Sequence, residues 1–148
     1  MAKYSKQIWP GMNTMVHTQM GWLANTSVSF INLDAGWAQY TANKGEVTSW
    51  ITNEIEHAKR KGLGLMIGLN VLAGGTSSTG LKGYWGSSYA MNANDIRNYG
   101  TKLLSQSYAC AFILWSYNST YYGRSDIKTA MAEMSTKARN HVKTSCRQ

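Results

Sequence analysis

The stretch Leu63-Gly-Leu-Met-Ile-Gly-Leu-Asn-Val-Leu72 constrains the fold of this chain more than any other, because Asn70 is its only polar side chain. An apolar run this short, stopped in front by Gly62, predicts a strand covered on both faces, as in parallel sheets flanked by helices. Residues 109–117, Ala-Cys-Ala-Phe-Ile-Leu-Trp-Ser-Tyr, have the same character. Two weaker strands are expected at residues 13–18 and at residues 28–34, the latter alternating and flanked by polar turn residues. Helical spacing separates these runs. Residues 46–61 place Val47, Trp50, Ile51, Ile55 and Ala58 on one face, and Gly62 ends the helix. Asn94 is the expected cap of a second helix carrying Ile96, Tyr99, Leu103 and Leu104. Ser125 is the expected cap of a third, with Ile127, Ala130, Met131, Met134 and Ala138 inward. Residues 19–27 leave room for a single helical turn after the first strand, and residues 74–88 form a long glycine-rich loop after the third.

Strand–helix alternation with buried strands implies an α/β fold with a parallel sheet, one domain over residues 1–148. Four such units are half of a (β/α)8 barrel, and a four-stranded sheet leaves two edges open. Homodimerisation about a two-fold axis completes eight strands and removes both edges. An open four-stranded α/β sandwich is the rival architecture.

The chain carries 15 Lys and Arg against 7 Asp and Glu, a formal +8. These cations are scattered rather than grouped, and no nucleic-acid-binding signature accompanies them, so most read as solvated helix faces, with anion binding as the alternative, and nucleic acid is not an expected partner. The first residues lack the apolar core of a signal peptide and no apolar run is long enough to span a bilayer; a soluble chain with no membrane partner is expected. No phosphate loop, dinucleotide fingerprint or nucleophile elbow is present, so no cofactor is expected.

In parallel α/β folds the chemistry sits at the carboxyl ends of the strands. With the strands placed as above, those ends carry His17, then Asp34 followed by Trp37 and Tyr40, then Asn70 with Trp85 in the loop beyond, then Trp115, Tyr117 and Asn118. Of the seven carboxylates, Asp34 alone is expected to end an apolar strand, where it can act as acid, base or nucleophile or else close a turn. Histidine side chains exchange protons near neutral pH, which makes His17 a candidate shuttle beside the alternative of a structural histidine. Together His17 and Asp34 are too few for a metal site, and no metal is expected. The aromatics Trp37, Tyr40, Trp85, Trp115 and Tyr117 offer flat faces for sugar rings or, equally, for a dimer interface. Cys110 begins the fourth strand and Cys146 follows the last helix to the same end of the sheet, so a disulfide and two free thiols both remain open.

Two segments carry a family resemblance. Leu33-Asp-Ala-Gly-Trp-Ala-Gln-Tyr40 with Gly62-Leu-Gly-Leu-Met-Ile-Gly-Leu-Asn-Val71 resembles the later strands of glycoside-hydrolase-like bacterial (β/α)8 barrel proteins. Tyr108-Ala-Cys-Ala-Phe-Ile-Leu-Trp-Ser-Tyr117, through to Ser145-Cys-Arg-Gln148, is similar to the last strand and helix of the same group. The resemblance covers nearly the whole chain and the carboxyl-terminal half of such a barrel. It implies a hydrolase acting on a sugar-containing substrate, with Asp34, Trp115 and Tyr117 as the residues that carry over. It also implies acidic residues in relatives where this chain has Ala73 and Asn118, so the acid/base complement here is reduced. The leading expectation is a hydrolase with an oligosaccharide or other small-molecule substrate, at a site shared by two chains that supplies Asp34 twice. An ester or phosphoester hydrolase and a non-catalytic carbohydrate-binding or structural half-barrel are the alternatives.

Overall fold

The computed structural model describes residues 2–27, 32–41, 44–76, 81–83, 89–142 and 145–146. It is an α/β fold. Helix α1 (Ala2–Ile8) precedes strand β1 (Met15–His17) and the short helix α2 (Met20–Ala24). Strand β2 (Ala35–Tyr40), helix α3 (Val47–Arg60), strand β3 (Gly64–Asn70), helix α4 (Ala93–Leu104) and strand β4 (Ala109–Trp115) follow in alternation. Helices α5 (Ser119–Gly123) and α6 (Ser125–Arg139) close the order. The four strands form one parallel sheet in the order β1-β2-β3-β4.

Strand β3 fulfils the expectation of double coverage, since every residue from Gly64 to Asn70 is buried. Its register puts Leu65, Ile67 and Leu69 level with Ala109, Phe112 and Leu114 of β4 and with Gly36, Ala38 and Tyr40 of β2. Strand side chains alternate between faces, so these residues share one face. That face meets Val47, Ile51, Ile55 and Ala58 of α3, Ile96 and Leu103 of α4, and Ile127, Ala130 and Met134 of α6 in one hydrophobic core. The opposite face carries Met15 and His17, then Trp37 and Gln39, then Met66, Gly68 and Asn70, then Ala111, Ile113 and Trp115. Here coverage is thinner: Trp37, Gln39, Ala111 and Ile113 are half-buried, while Met15 is 44% and Trp115 39% exposed.

The helix starts are fixed by side chains. Glu46 accepts from the Ser49 N–H at 2.9 Å to cap α3. Helix α4 begins with a capping box in which Asn92 accepts from the Asp95 N–H and Asp95 accepts from the Asn92 N–H. The cap is therefore Asn92 and not Asn94, which lies inside the first turn. Helix α6 starts at Ser125, but its capping position is Arg124 with no side-chain cap bond. Asp95 also accepts from the backbone N–H and hydroxyl of Thr76, tying the start of the long loop to α4. Asp95 and Glu54 are buried.

The second strand corrects the sequence reading most. Residues 32–34 lie before β2, which begins at Ala35, and residues 28–31 of the expected strand lie outside the described residues. Small residues let β2 sit under α2: a Cβ added at Gly36 would come within 2.1 Å of the Met20 sulfur. The open alternative at the cysteines also resolves, because Cys110 and Cys146 are bonded with their Cα atoms 5.2 Å apart. Among the described residues, no helix is long and apolar enough to cross a membrane.

Candidate functional site

Moving β2 forward reverses the position of Asp34. It stands at the amino end of the sheet, one residue before β2, with its carbonyl accepting from the Gly64 N–H at the start of β3. Six residues of extended chain from Gly64 to Asn70 separate the two ends of the sheet by about 20 Å. There Asp34 is 3% exposed and ion-paired to Lys6 of α1 at 2.7 Å. It also accepts from the Thr14 N–H at 2.6 Å and the Thr14 hydroxyl at 3.1 Å. Burial pushes its carboxyl up, but the bonds from Lys6 and Thr14, with the Lys6 charge, outweigh burial and hold it below the ordinary aspartate value. Asp34 thus joins α1, the approach to β1 and the approach to β2.

The carboxyl end of the sheet holds a different set. A cleft of about 310 Å³ opens there, lined by His17 and the following Thr18 and Gln19, Trp22 of α2, Gln39 and Thr41 at the end of β2, Lys44, and Asn70 at the end of β3. Its volume is at the lower end of the range for small-ligand sites. His17 stacks on Trp37 with ring centroids 4.1 Å apart, and Trp37 meets the edge of Trp115 at 5.5 Å. This aromatic row crosses the sheet from β1 to β4 below the polar rim. Gly68 makes it possible, since a Cβ there would lie 2.4 Å from the Trp37 indole nitrogen.

Three buried side-chain polar atoms in this region have no hydrogen-bond partner among the described residues: Trp37 Nε1, Gln39 Nε2 and Asn70 Oδ1. Buried polar groups are ordinarily paired, so three on one sheet face are a departure from the rule. Asn70 is only 3% exposed and still lines the cleft. The fourth such atom, His57 Nδ1, belongs to α3 and lies beside Gly21 of α2.

Of the residues expected at the site, His17 and Asn70 line the cleft and Trp37 and Trp115 stand beneath or beside it. Tyr40 does not. It points to the helix side, is 1% exposed, packs between Trp50 and Tyr99, and donates its hydroxyl to the Gly45 carbonyl at 2.8 Å. Burial raises its phenol to about 12. Tyr117 is 76% exposed and stacks on Tyr122 away from the cleft. Asn118 caps α5, its Oδ1 accepting from the Tyr121 N–H at 2.9 Å. Replacing Asn118 by Ala should therefore lower stability by about 1 kcal/mol in chemical denaturation, the ordinary value of a lost cap. Trp85 lies outside the described residues. Gln39, Lys44 and Trp22 escaped the sequence reading because their place depends on the true register of β2 and on α2. Gln39 was findable: it alternates with Ala38 and Tyr40 once the strand runs to Tyr40.

None of the chain's seven carboxylates lines the cleft. Among the described residues, no group of three or more His, Cys, Asp or Glu is placed to hold a metal ion. What the arrangement offers is hydrogen bonding from amides, hydroxyls, an imidazole and an ammonium, next to indole faces. Comparison with protein-family models, curated proteins and solved structures found no match.

Proposed function

We propose that this chain is a half (β/α)8 barrel of glycoside-hydrolase-like ancestry that binds a carbohydrate in the cleft at the carboxyl end of its sheet. The supporting observation is that Gln39 and Asn70, each with a buried and unpaired side-chain atom (Nε2 and Oδ1), both line a cleft that also carries Trp22 and the amide of Gln19. A sugar hydroxyl both donates and accepts, so one ring can satisfy an amide N–H and an amide oxygen while its apolar face rests on an indole. Binding fits the geometry better than hydrolysis. Glycoside hydrolysis ordinarily uses two carboxyls roughly 5–10 Å apart. A second copy completing the barrel would carry its Asp34 at the same end as the first, about 20 Å from the cleft.

The thinly covered face of the sheet supports a second copy of the chain as the other half of the barrel. Met15, Trp37, Ile113 and Trp115 offer apolar and aromatic surface there, and both edge strands, β1 and β4, border it. Sedimentation of the purified chain should give twice its 16.4 kDa.

Calorimetric titration with a panel of neutral and charged oligosaccharides tests the binding reading, with chromogenic glycosides incubated in parallel. Saturable binding without product is expected. Asn70→Ala should weaken that binding at least tenfold, about the value of one hydrogen bond to a buried group. Steady turnover abolished in the same variant would instead establish a hydrolase at this cleft, and no binding to any sugar would reject the carbohydrate reading.

A further inference from the structure

The cleft carries a positive charge, that of Lys44, which a neutral sugar would leave unpaired. Carbohydrate hydroxyls are strong donors, and carboxylates are the strongest side-chain acceptors for them, yet no carboxylate lines this cleft. Of the two unpaired buried donors, Gln39 Nε2 and Trp37 Nε1, Gln39 belongs to a residue that lines the cleft and Trp37 stands beneath it. Lys44 adds an ammonium to the lining and, like Lys59, Lys128 and other exposed cations, makes no ion pair among the described residues. Glu46, two residues on, is taken up by the Ser49 N–H and Lys102, and the other acid to consider is Glu54, whose carboxyl feels the Lys44 charge. It is 6% exposed and turned to the Met20 N–H at 2.7 Å, and burial raises its proton affinity, so it is poorly placed to neutralise Lys44. The cleft therefore presents donors and positive charge on a chain that is +8 overall.

Building on the carbohydrate reading, we propose that the ligand is an acidic sugar, a uronic-acid unit whose carboxylate meets Lys44 while its ring hydroxyls meet Asn70 and Gln39. An ammonium binds a carboxylate as a charge-assisted pair, roughly twice as strong as a neutral hydrogen bond and weakened by salt. The buried amide of Asn70 then reads the ring, and Lys44 at the exposed rim reads the charge.

The test titrates the full chain at low salt with uronic-acid trisaccharides and with the same trisaccharides after reduction of the carboxyl to a primary alcohol. The acidic form should bind at least tenfold more tightly, and the preference should shrink at high salt. Lys44→Gln should bring the ratio of the two affinities close to one, whatever it does to the affinity for the reduced sugar, and Lys44→Arg should retain the preference. Lys128→Gln, an exposed cation on α6, serves as the control for general charge. Equal binding of both forms overturns the acidic-sugar assignment and leaves the carbohydrate reading standing. A preference that survives Lys44→Gln, or falls equally in Lys128→Gln, overturns the role of Lys44 in favour of net charge. Binding of neither form removes the carbohydrate reading together with this inference.

Discussion

Breaking the Cys110–Cys146 bond should lower the free energy of unfolding by about 4 kcal/mol, the chain-entropy value for a closed loop of this size. The bond spans a sequence separation of 36 and encloses α5, α6 and all of β4 beyond its first residue. Without it, the tail is held to the sheet by much less. His141 Nε2 lies 3.1 Å from the Ala109 carbonyl, and the Cys146 backbone rests against Gly64, where a Cβ would approach to 2.9 Å. Gly64 is thus the floor that receives the tail, and the tail covers the amino end of β3. Chemical denaturation of Cys110→Ser/Cys146→Ser beside the oxidised parent measures the difference, and thermal unfolding should show a fall of roughly 10 °C in Tm for a domain of this length. A loss under 1 kcal/mol would show that contacts alone seat the tail. Sugar binding at the opposite end of the sheet should be unchanged in either case.

The parts of the fold that sequence made legible are those whose pattern is set locally. Strand β3 announces itself because burial on both faces leaves only apolar residues and glycine before Asn70. Helix α3 does so because Val47, Ile51, Ile55 and Ala58 fall at helical spacing, and all four are buried. Strand β2 was misplaced because Ala35, Gly36 and Ala38 are weak strand formers in isolation. They are required by Met20 of α2 and by pairing on both sides, and strand preference follows such tertiary context more than residue type. A shift of that strand changed the site at once. It carried Asp34 to the far end, turned Tyr40 to the helix side, and brought Gln39 to the rim. Asn70 was legible as the one polar residue at the end of an apolar strand. Lys44 was one scattered cation among many until α2 and the end of β2 were placed around it.

Asp34 shows most sharply how a residue's role follows from which end of a strand it occupies. Replacing it by Asn or Ala should cost about 2 kcal/mol of stability, the scale for removing a buried acceptor of charged and backbone donors. The loss arises because Lys6, 27% exposed, and the Thr14 N–H would face each other across an uncharged side chain or a void. The pH dependence separates this from a simple packing defect. The folded-state value of Asp34 lies below its ordinary one, so the unfolded chain binds the proton more readily. The carboxylate's contribution is then fully present above the unfolded value of about 3.9, and it is lost as pH falls through the lower folded value. Parent and Asp34→Asn should therefore differ by a constant amount from pH 5 upward in denaturant titrations, and converge in acid below about pH 4. A gap that stays constant down to acid unfolding would mean that shape rather than charge explains the loss. Sugar affinity within twofold of the parent is expected for the folded variant, because about 20 Å of sheet lies between Asp34 and Asn70. A folded Asp34→Asn chain that has lost binding would show that the amino end of the sheet governs the cleft, and the separation of structural knot from ligand site drawn here would fail.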